Sequence, residues 1–371
     1  MDQATIRRRL QALRERREVN QTDLAQALGF NDRQTLSDIE LGKRQVAPVD
    51  LVRAAEFFGV DTGYFTDPFE LAGEANFSWR QAAKADDLES FERRAGGWIA
   101  TYRHLSRLKG ESVNSLLPQI GLNPKSSFEE AADEGDAVSR SLGLGDVPAA
   151  NLASVLEQKL DTLILHVDTV VGVSGAACQL GPLNTILINR HEPAGRRAFD
   201  MGHELFHLIT WREMAPAHVE EESKLSKNQK RVEQLADNFS GGLLMPRHVV
   251  VGLIEKAALP SNDPEAQARW IREAATQLGV SGPAMKWRLV ALGLLKNAAA
   301  QGIGDGLLRM DAATNDAALP PRFSRRFVAT LGWGIEQGHL SVRRAADVIG
   351  TSVDDLAVLF TEHGLKTPFD L

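Results

Sequence analysis

Residues Arg196–Trp211 read RRAFDMGHELFHLITW, and the rest of the chain is understood from this stretch. His203-Glu204-Leu205-Phe206-His207 has the H-E-x-x-H spacing of a helical metal site. Helix residues four apart stack on one face, so both imidazoles can be offered to one ion. Glu204 sits one step round the turn, in reach of a water beside that ion but outside its ligand set. Phe199, Leu205, Phe206, Leu208 and Ile209 supply the apolar surface that buries such a helix. Two ordinary histidines on a buried helix would show the same five letters. A third ligand separates the two readings.

Catalytic zinc takes three protein ligands and keeps a fourth position for water. Downstream, Arg231–Leu244 (RVEQLADNFSGGLL) has a second helical pattern, closed by Met245-Pro246. Glu233 on it is the best candidate for the third ligand; the plain alternative is a solvated charge on an amphipathic helix. Asp237 falls one turn further on the same face. It can accept the free N–H of a ligating histidine, which sets the tautomer and raises ligand basicity.

The two segments together, ILINRHEPAGRRAFDMGHELFHLI and VEQLADNFSGGLLMP, resemble the ImmA/IrrE family of bacterial metallopeptidases. The resemblance spans roughly residues 126–295. It implies His203, His207 and Glu233 as zinc ligands and Glu204 as general base. It also implies a zinc-dependent endopeptidase that cuts a partner repressor or antitoxin. Ser240-Gly241-Gly242 departs from the family pattern, and two glycines there are expected to loosen the helix.

At 371 residues several domains are expected. The net charge of −7 argues against a general nucleic-acid coating protein, while 43% hydrophobic residues allow proper cores. The single Cys178 excludes an internal disulfide framework and fits a reducing cytosol. With no signal-peptide pattern and no apolar run of membrane-spanning length, a cytoplasmic protein with no membrane partner is expected.

Residues 1–66 read as a compact helical domain. Ile6, Leu10 and Leu13 mark a first helix. Gln21–Gly29 gives a short second one capped by Asn20 or Thr22. Arg33–Leu41 and Leu51–Phe58 give two more. The segment LQALRERREVNQTDLAQALGF…TLSDIELGKR resembles phage-repressor-like (XRE) helix-turn-helix domains, with a turn one residue longer than their usual pattern. That resemblance implies operator DNA as a partner, read by the start of the second motif helix. Arg33, Gln34, Thr35, Ser37 and Asp38 are the candidates for base edges, and Gln21, Lys43 and Arg44 for phosphate. A further positive end is offered by Arg7, Arg8, Arg9, Arg14, Arg16 and Arg17, or these form a solvated helix face. Ten basic and ten acidic residues over 1–66 leave the segment neutral, which suits weak binding by one copy and a homodimer on a palindrome.

Residues 67–125 read as a helical connector, with Trp79–Leu108 helical. Within 126–297 helices are expected at Phe128–Leu142 and Leu152–Leu160. Strands are expected at Thr162–Val167, Val170–Val173 and Thr185–Asn189, the last leading into the HExxH helix as an open edge for an extended peptide. Both tyrosines, Tyr64 and Tyr102, lie outside this segment, so an oxyanion stabiliser would be a histidine, His218 before His191 or His248. Residues 298–371 read as a helical extension that includes a linker near 301–322. The helix-turn-helix-like patterns at 273–295 and 341–360 are read as structural. The expected class is mainly α with a small β-sheet (α+β): an N-terminal helix-turn-helix domain, a zincin-like metallopeptidase domain and a helical C-terminal extension. Two competing readings use the same residues: a non-cleaving transcription factor or antitoxin whose zinc domain senses metal or a partner, and a protein-interaction scaffold.

Overall fold

The computed structural model describes residues 3–81, 87–111, 114–221, 225–261, 263–309 and 319–370. The chain folds into two compact units, one of residues 1–76, 86–113 and 326–371, the other of 77–85 and 114–325. The fold is mainly helical with one small sheet, in the α+β class. Among the described residues no helix is long and apolar enough to cross a membrane.

In the first unit, α1 (Gln3–Arg16), α2 (Gln21–Ala27), α3 (Arg33–Glu40), α4 (Pro48–Phe58) and a short α5 (Gly63–Thr66) enclose a core of Leu10, Leu13, Leu24, Leu28, Leu36, Ile39 and Phe65. Asn20 caps α2 by accepting from the Asp23 amide at 2.9 Å. Asp32 caps α3 by accepting from the Thr35 amide at 2.8 Å, which sets the start of that helix at Arg33 despite the longer turn. Arg9 corrects the picture of a solvated basic face. It is fully buried, donating to Glu74 Oε1 at 3.0 Å and to the carbonyls of Tyr64 and Asp67, and Arg103 reaches the same Glu74 oxygen at 3.4 Å. Arg14 is likewise engaged, by Glu40 at 2.6 Å.

The second unit contains the sheet. In the order met along the chain its elements are β1 (Asn76–Gln81, entering the unit at Phe77), then, beyond α6 (Leu88–Leu108) of the first unit, α7 (Phe128–Leu142), α8 (Pro148–Lys159), β2 (Leu163–Val167), β3 (Val173–Leu180), β4 (Leu183–Asn189), α9 (Ala194–Thr210), α10 (Lys227–Leu244), α11 (Arg247–Lys256), α12 (Pro264–Leu278), α13 (Gly282–Ala291) and α14 (Asn297–Gly302). The sheet order is β1-β3-β4-β2, with β2 parallel and β3 antiparallel to β4.

Three expectations are corrected here. The Trp79–Leu108 segment is not one helix: NFSWRQ is a strand, and the helix starts at Leu88. Alternate aromatics Phe77 and Trp79 stack 5.4 Å apart on that strand, which suits a pleated surface. The run Val170–Val173 is not a strand; β3 begins where it ends and continues through small residues, Gly175, Ala176 and Ala177, whose lack of bulk hides them from a search for β-branched alternation. Third, β4 is not an edge. It lies between β3 and β2 with Ile186, Leu187 and Ile188 fully buried, which is why it reads as an unbroken apolar run.

The glycines of α10 do not loosen it. A methyl group at Gly242 would stand 1.9 Å from the Ala132 carbonyl oxygen of α7, so glycine is what allows the two helices to approach. The expected linker near 301–322 holds the end of α14 and a 3-10 turn at Asp305–Leu308; residues 310–318 of it lie outside the described residues. In the first unit α15 (Arg325–Glu336), α16 (Val342–Ile349) and α17 (Val353–Glu362) complete the chain.

Candidate metal centre

Helix α9 is buried along almost its whole length, and its polar residues Asp200, His203, Glu204 and His207 are buried with it. Buried polar groups need partners. For the two histidines these come from α10 and from the segment before it. His203 Nδ1 lies 2.9 Å from Asp237 Oδ1, which places the ring proton on Nδ1 and leaves Nε2 as a lone pair. That nitrogen stands 3.0 Å from His207 Nε2 and 3.1 Å from Glu233 Oε2, while His207 Nε2 is 3.5 Å from the same Glu233 oxygen. The tertiary fold thus brings together His203, His207, Glu233 and Asp237.

A fourth group, which the sequence reading missed, completes the set. Glu220 Oε1 is 3.2 Å from His207 Nε2, and its Oε2 is 3.8 Å from His203 Nε2. The donor atoms of His203, His207, Glu220 and Glu233 all lie within 4.8 Å of one another. Tetrahedral zinc with bonds of about 2.0–2.1 Å spaces its ligand atoms about 3.4 Å apart. The five spacings above bracket that value, and two imidazole nitrogens with two carboxylates are a donor set zinc accepts. The residues fit the ion.

The charge balance asks for a cation as well. Asp200, Glu204, Glu220, Glu233 and Asp237 crowd one region, and the half-buried Arg80 of β1 stands among them, 3.4 Å from Asp200 and 3.2 Å from Asp237. Burial pulls the Arg80 guanidinium down, but Asp200 and Asp237 more than offset it. For His203 burial also acts downward, and the contacts with Asp237, Glu220 and Glu233 lift it well above an ordinary imidazole. Glu233 goes the other way: burial raises it, yet His207 and His203 hold its carboxyl far below the usual carboxylate range.

Glu204 is different. Burial, then the charge of Glu220, push its carboxyl up to about 8. Both of its oxygens are buried without a hydrogen-bond partner. Gly175 of β3 lies against this carboxylate: a methyl group there would stand 3.4 Å from Glu204 Oε1, in ordinary contact, and 3.1 Å from the Leu187 carbonyl oxygen of β4. An unsatisfied, proton-hungry carboxylate beside a metal-ligand set is what a general base needs.

Beside the cluster opens a cleft of about 750 Å³, lined by Arg80, Val173, Ser174, Glu192, His203 and Glu233 among others. His218 is not among its lining residues. It is exposed, with Nδ1 3.2 Å from the Phe77 carbonyl oxygen. His191 is exposed and 2.8 Å from Asp168, and His248 is exposed on α11. Arg80 and Glu220 were the residues least visible beforehand. Arg80 lies in a strand read as helix, and Glu220 lies in an irregular stretch with no motif around it.

In the helix-turn-helix region Arg33, Gln34, Lys43 and Arg44 are exposed, and Thr35, Ser37 and Asp38 are half-buried. Gln34 donates to Asp38 Oδ1 at 3.0 Å one turn below, and the Lys43 ammonium is 4.0 Å from the same oxygen. Arg44 lies over the Phe30 ring at 5.5 Å. Gln21 is tied to Glu40 at 2.7 Å, in the same contact set as Arg14.

Residues 5–63 match the family model of a helix-turn-helix domain, and residues 160–289 match that of the IrrE N-terminal-like domain of the M78 peptidases. The second match contains every residue of the metal cluster. No curated protein and no solved structure matches the chain. The chain joins a helix-turn-helix domain to an IrrE-like domain, the organisation of a DNA-binding regulator carrying a peptidase-like domain.

Proposed function

We propose that the protein is a transcriptional regulator whose zinc-dependent endopeptidase domain cuts a partner repressor or antitoxin-like protein. Residues 1–66 bind operator DNA, residues 126–297 together with strand β1 hold the zinc and cleave, the rest of 67–125 connects the two, and residues 298–371 are the helical extension. The observation that carries the reading is the convergence of His203, His207 and Glu233 next to an unsatisfied Glu204 carboxylate. Zinc held there supplies Lewis acidity toward a water and toward the scissile carbonyl. Glu204 takes the proton of the attacking water on a carboxylate oxygen and passes it to the leaving amine nitrogen. Asp237 keeps the His203 proton on Nδ1 so that Nε2 faces the ion. Arg80, half-buried at the cleft wall, is better placed than His218 to neutralise charge on a bound carbonyl oxygen.

Operator contacts fall to Arg33, Gln34, Thr35, Ser37 and Asp38 for bases and to Gln21, Lys43 and Arg44 for phosphate. Two copies on a palindrome suit the neutral charge of this domain. The exposed Val49, Val52 and Phe57 of α4 give a second copy apolar surface to cover.

The test is cleavage of a co-expressed repressor or antitoxin encoded beside this protein. Zinc-dependent cutting that disappears in Glu204→Gln, with metal content unchanged, is the expected result. Cutting that survives Glu204→Gln would remove the enzyme reading.

A further inference from the structure

We propose that Glu220 is a fourth protein ligand, and that residues 217–220 form an internal blocking strand that closes the metal site of the resting protein. The inference rests on the zinc-site reading above. Three independent features place this segment. First, Val219 pairs in parallel with Trp79 of β1: the Trp79 amide donates to the His218 carbonyl at 2.9 Å, and the Glu220 amide donates to the Trp79 carbonyl at 2.8 Å. Strand β1 ends the sheet, so these residues cover the edge an incoming extended peptide would use. Second, the Ser78 hydroxyl lies 2.7 Å from both the Ala217 carbonyl oxygen and Glu220 Oε1, donating to one or the other, and so fixes the carboxylate at its root. Third, Glu220 is buried with Oε1 3.2 Å from His207 Nε2 and Oε2 without a hydrogen-bond partner.

A buried carboxylate facing two imidazoles needs positive charge between them, a proton on a ring nitrogen or a cation, and the other donor atoms gathered at the same point suit the cation. With Glu220 bound, the protein supplies all four tetrahedral positions. Sites of that kind are closed, structural ones, whereas catalysis needs one position open to water. The same chain segment therefore occupies the strand edge and the open coordination position together. Activation consists of lifting 217–220 off β1, which frees both at once. A partner protein that pairs with β1 in its place does this by competition. The peptidase is in this way kept silent without a separate inhibitor.

The experiment uses the full-length protein with Co2+ in the zinc site and acetohydroxamate as a metal-directed probe, read by the visible spectrum. Chelator competition gives the zinc affinity in parallel. Wild type is expected to bind the ion and leave its spectrum unchanged by the probe. Glu220→Gln is expected to bind zinc at least about tenfold more weakly and to take up the probe with a spectral shift. Probe uptake by wild type equal to that of Glu220→Gln overturns the blocking role while the metal site stands. Failure of both proteins to bind either ion overturns the zinc reading and this one with it. Should Glu220→Gln not fold, Ser78→Ala, which removes the hydroxyl beside Oε1, is read instead: uptake of the probe supports the latch and refusal overturns it.

Discussion

Asp237 Oδ1 lies 2.9 Å from His203 Nδ1, joining α10 to α9 through the ring nitrogen opposite the one that faces Glu233 and His207. This contact decides which nitrogen of His203 faces Glu233 and His207. Asp237→Ala is expected to leave the fold intact and to weaken zinc affinity about 10–100-fold. Chelator competition measures it. Unchanged affinity would mean that the His203 tautomer is set elsewhere.

The metal-stripped protein should lose stability as pH rises. Glu204, buried and beside Glu220, holds its proton up to about 8, against an ordinary carboxyl value of 4.5. Between those values the folded state keeps a proton that the unfolded state has released. The contribution is therefore fully present below 4.5 and is lost as pH climbs toward about 8. His203 and His207, both raised, act in the same direction. Glu204→Gln should flatten the slope by as much as one proton, about 1.4 kcal/mol per pH unit. Urea midpoints of the chelator-treated proteins over this range measure it, and parallel slopes for the two proteins would contradict the assignment.

Gly242→Ala tests the α7–α10 contact. Its methyl group would meet the Ala132 carbonyl oxygen, a backbone atom that cannot swing aside. A loss of about 2 kcal/mol or more is expected, although alanine is the better helix former. A more stable variant would show that the helices separate freely.

Glu74 is shared by Arg9 and Arg103 in the first unit, and its side chain is 1% exposed. Removing it leaves two buried guanidinium groups facing one gap. Glu74→Ala should cost about 3–5 kcal/mol in chemical denaturation. A loss below about 1 kcal/mol would indicate that water replaces the carboxylate.

Operator binding should separate Gln34 from Lys43. Gln34→Ala is expected to relax preference at one base position, at about 1–3 kcal/mol. Lys43→Ala should weaken all sequences alike and reduce the salt slope by about 1. Fluorescence anisotropy against operator and random duplexes at several salt concentrations distinguishes them. If Gln34→Ala lowers both affinities equally, α3 does not read bases in this register.

Local pattern was enough to predict the helices that carry the clustered histidines and carboxylates. The i,i+4 spacing of His203 and His207 is a property of the α-helix itself, and Glu233 and Asp237 repeat it on α10, so both faces were readable before any contact was known. The cap at Asn20 was readable for the same reason: it is set by residues within one turn. Strand β3 was not readable, because its run of Gly175, Ala176 and Ala177 carries no β-branched alternation, and the tight approach at Gly175 is to the Leu187 carbonyl oxygen of β4, a contact only the paired sheet creates. Arg80 and Glu220 belong to the same class. Arg80 lies in a strand that runs into a helical pattern and Glu220 in a stretch with no periodic signal, about 140 positions apart, and the pairing of β1 with residues 218–220 brings them to one cluster. Periodicity reports what a segment does with its own hydrogen bonds and apolar face. The placement of Glu220 beside the two histidines depended on which distant backbone groups found one another, and that is a matter of tertiary structure alone.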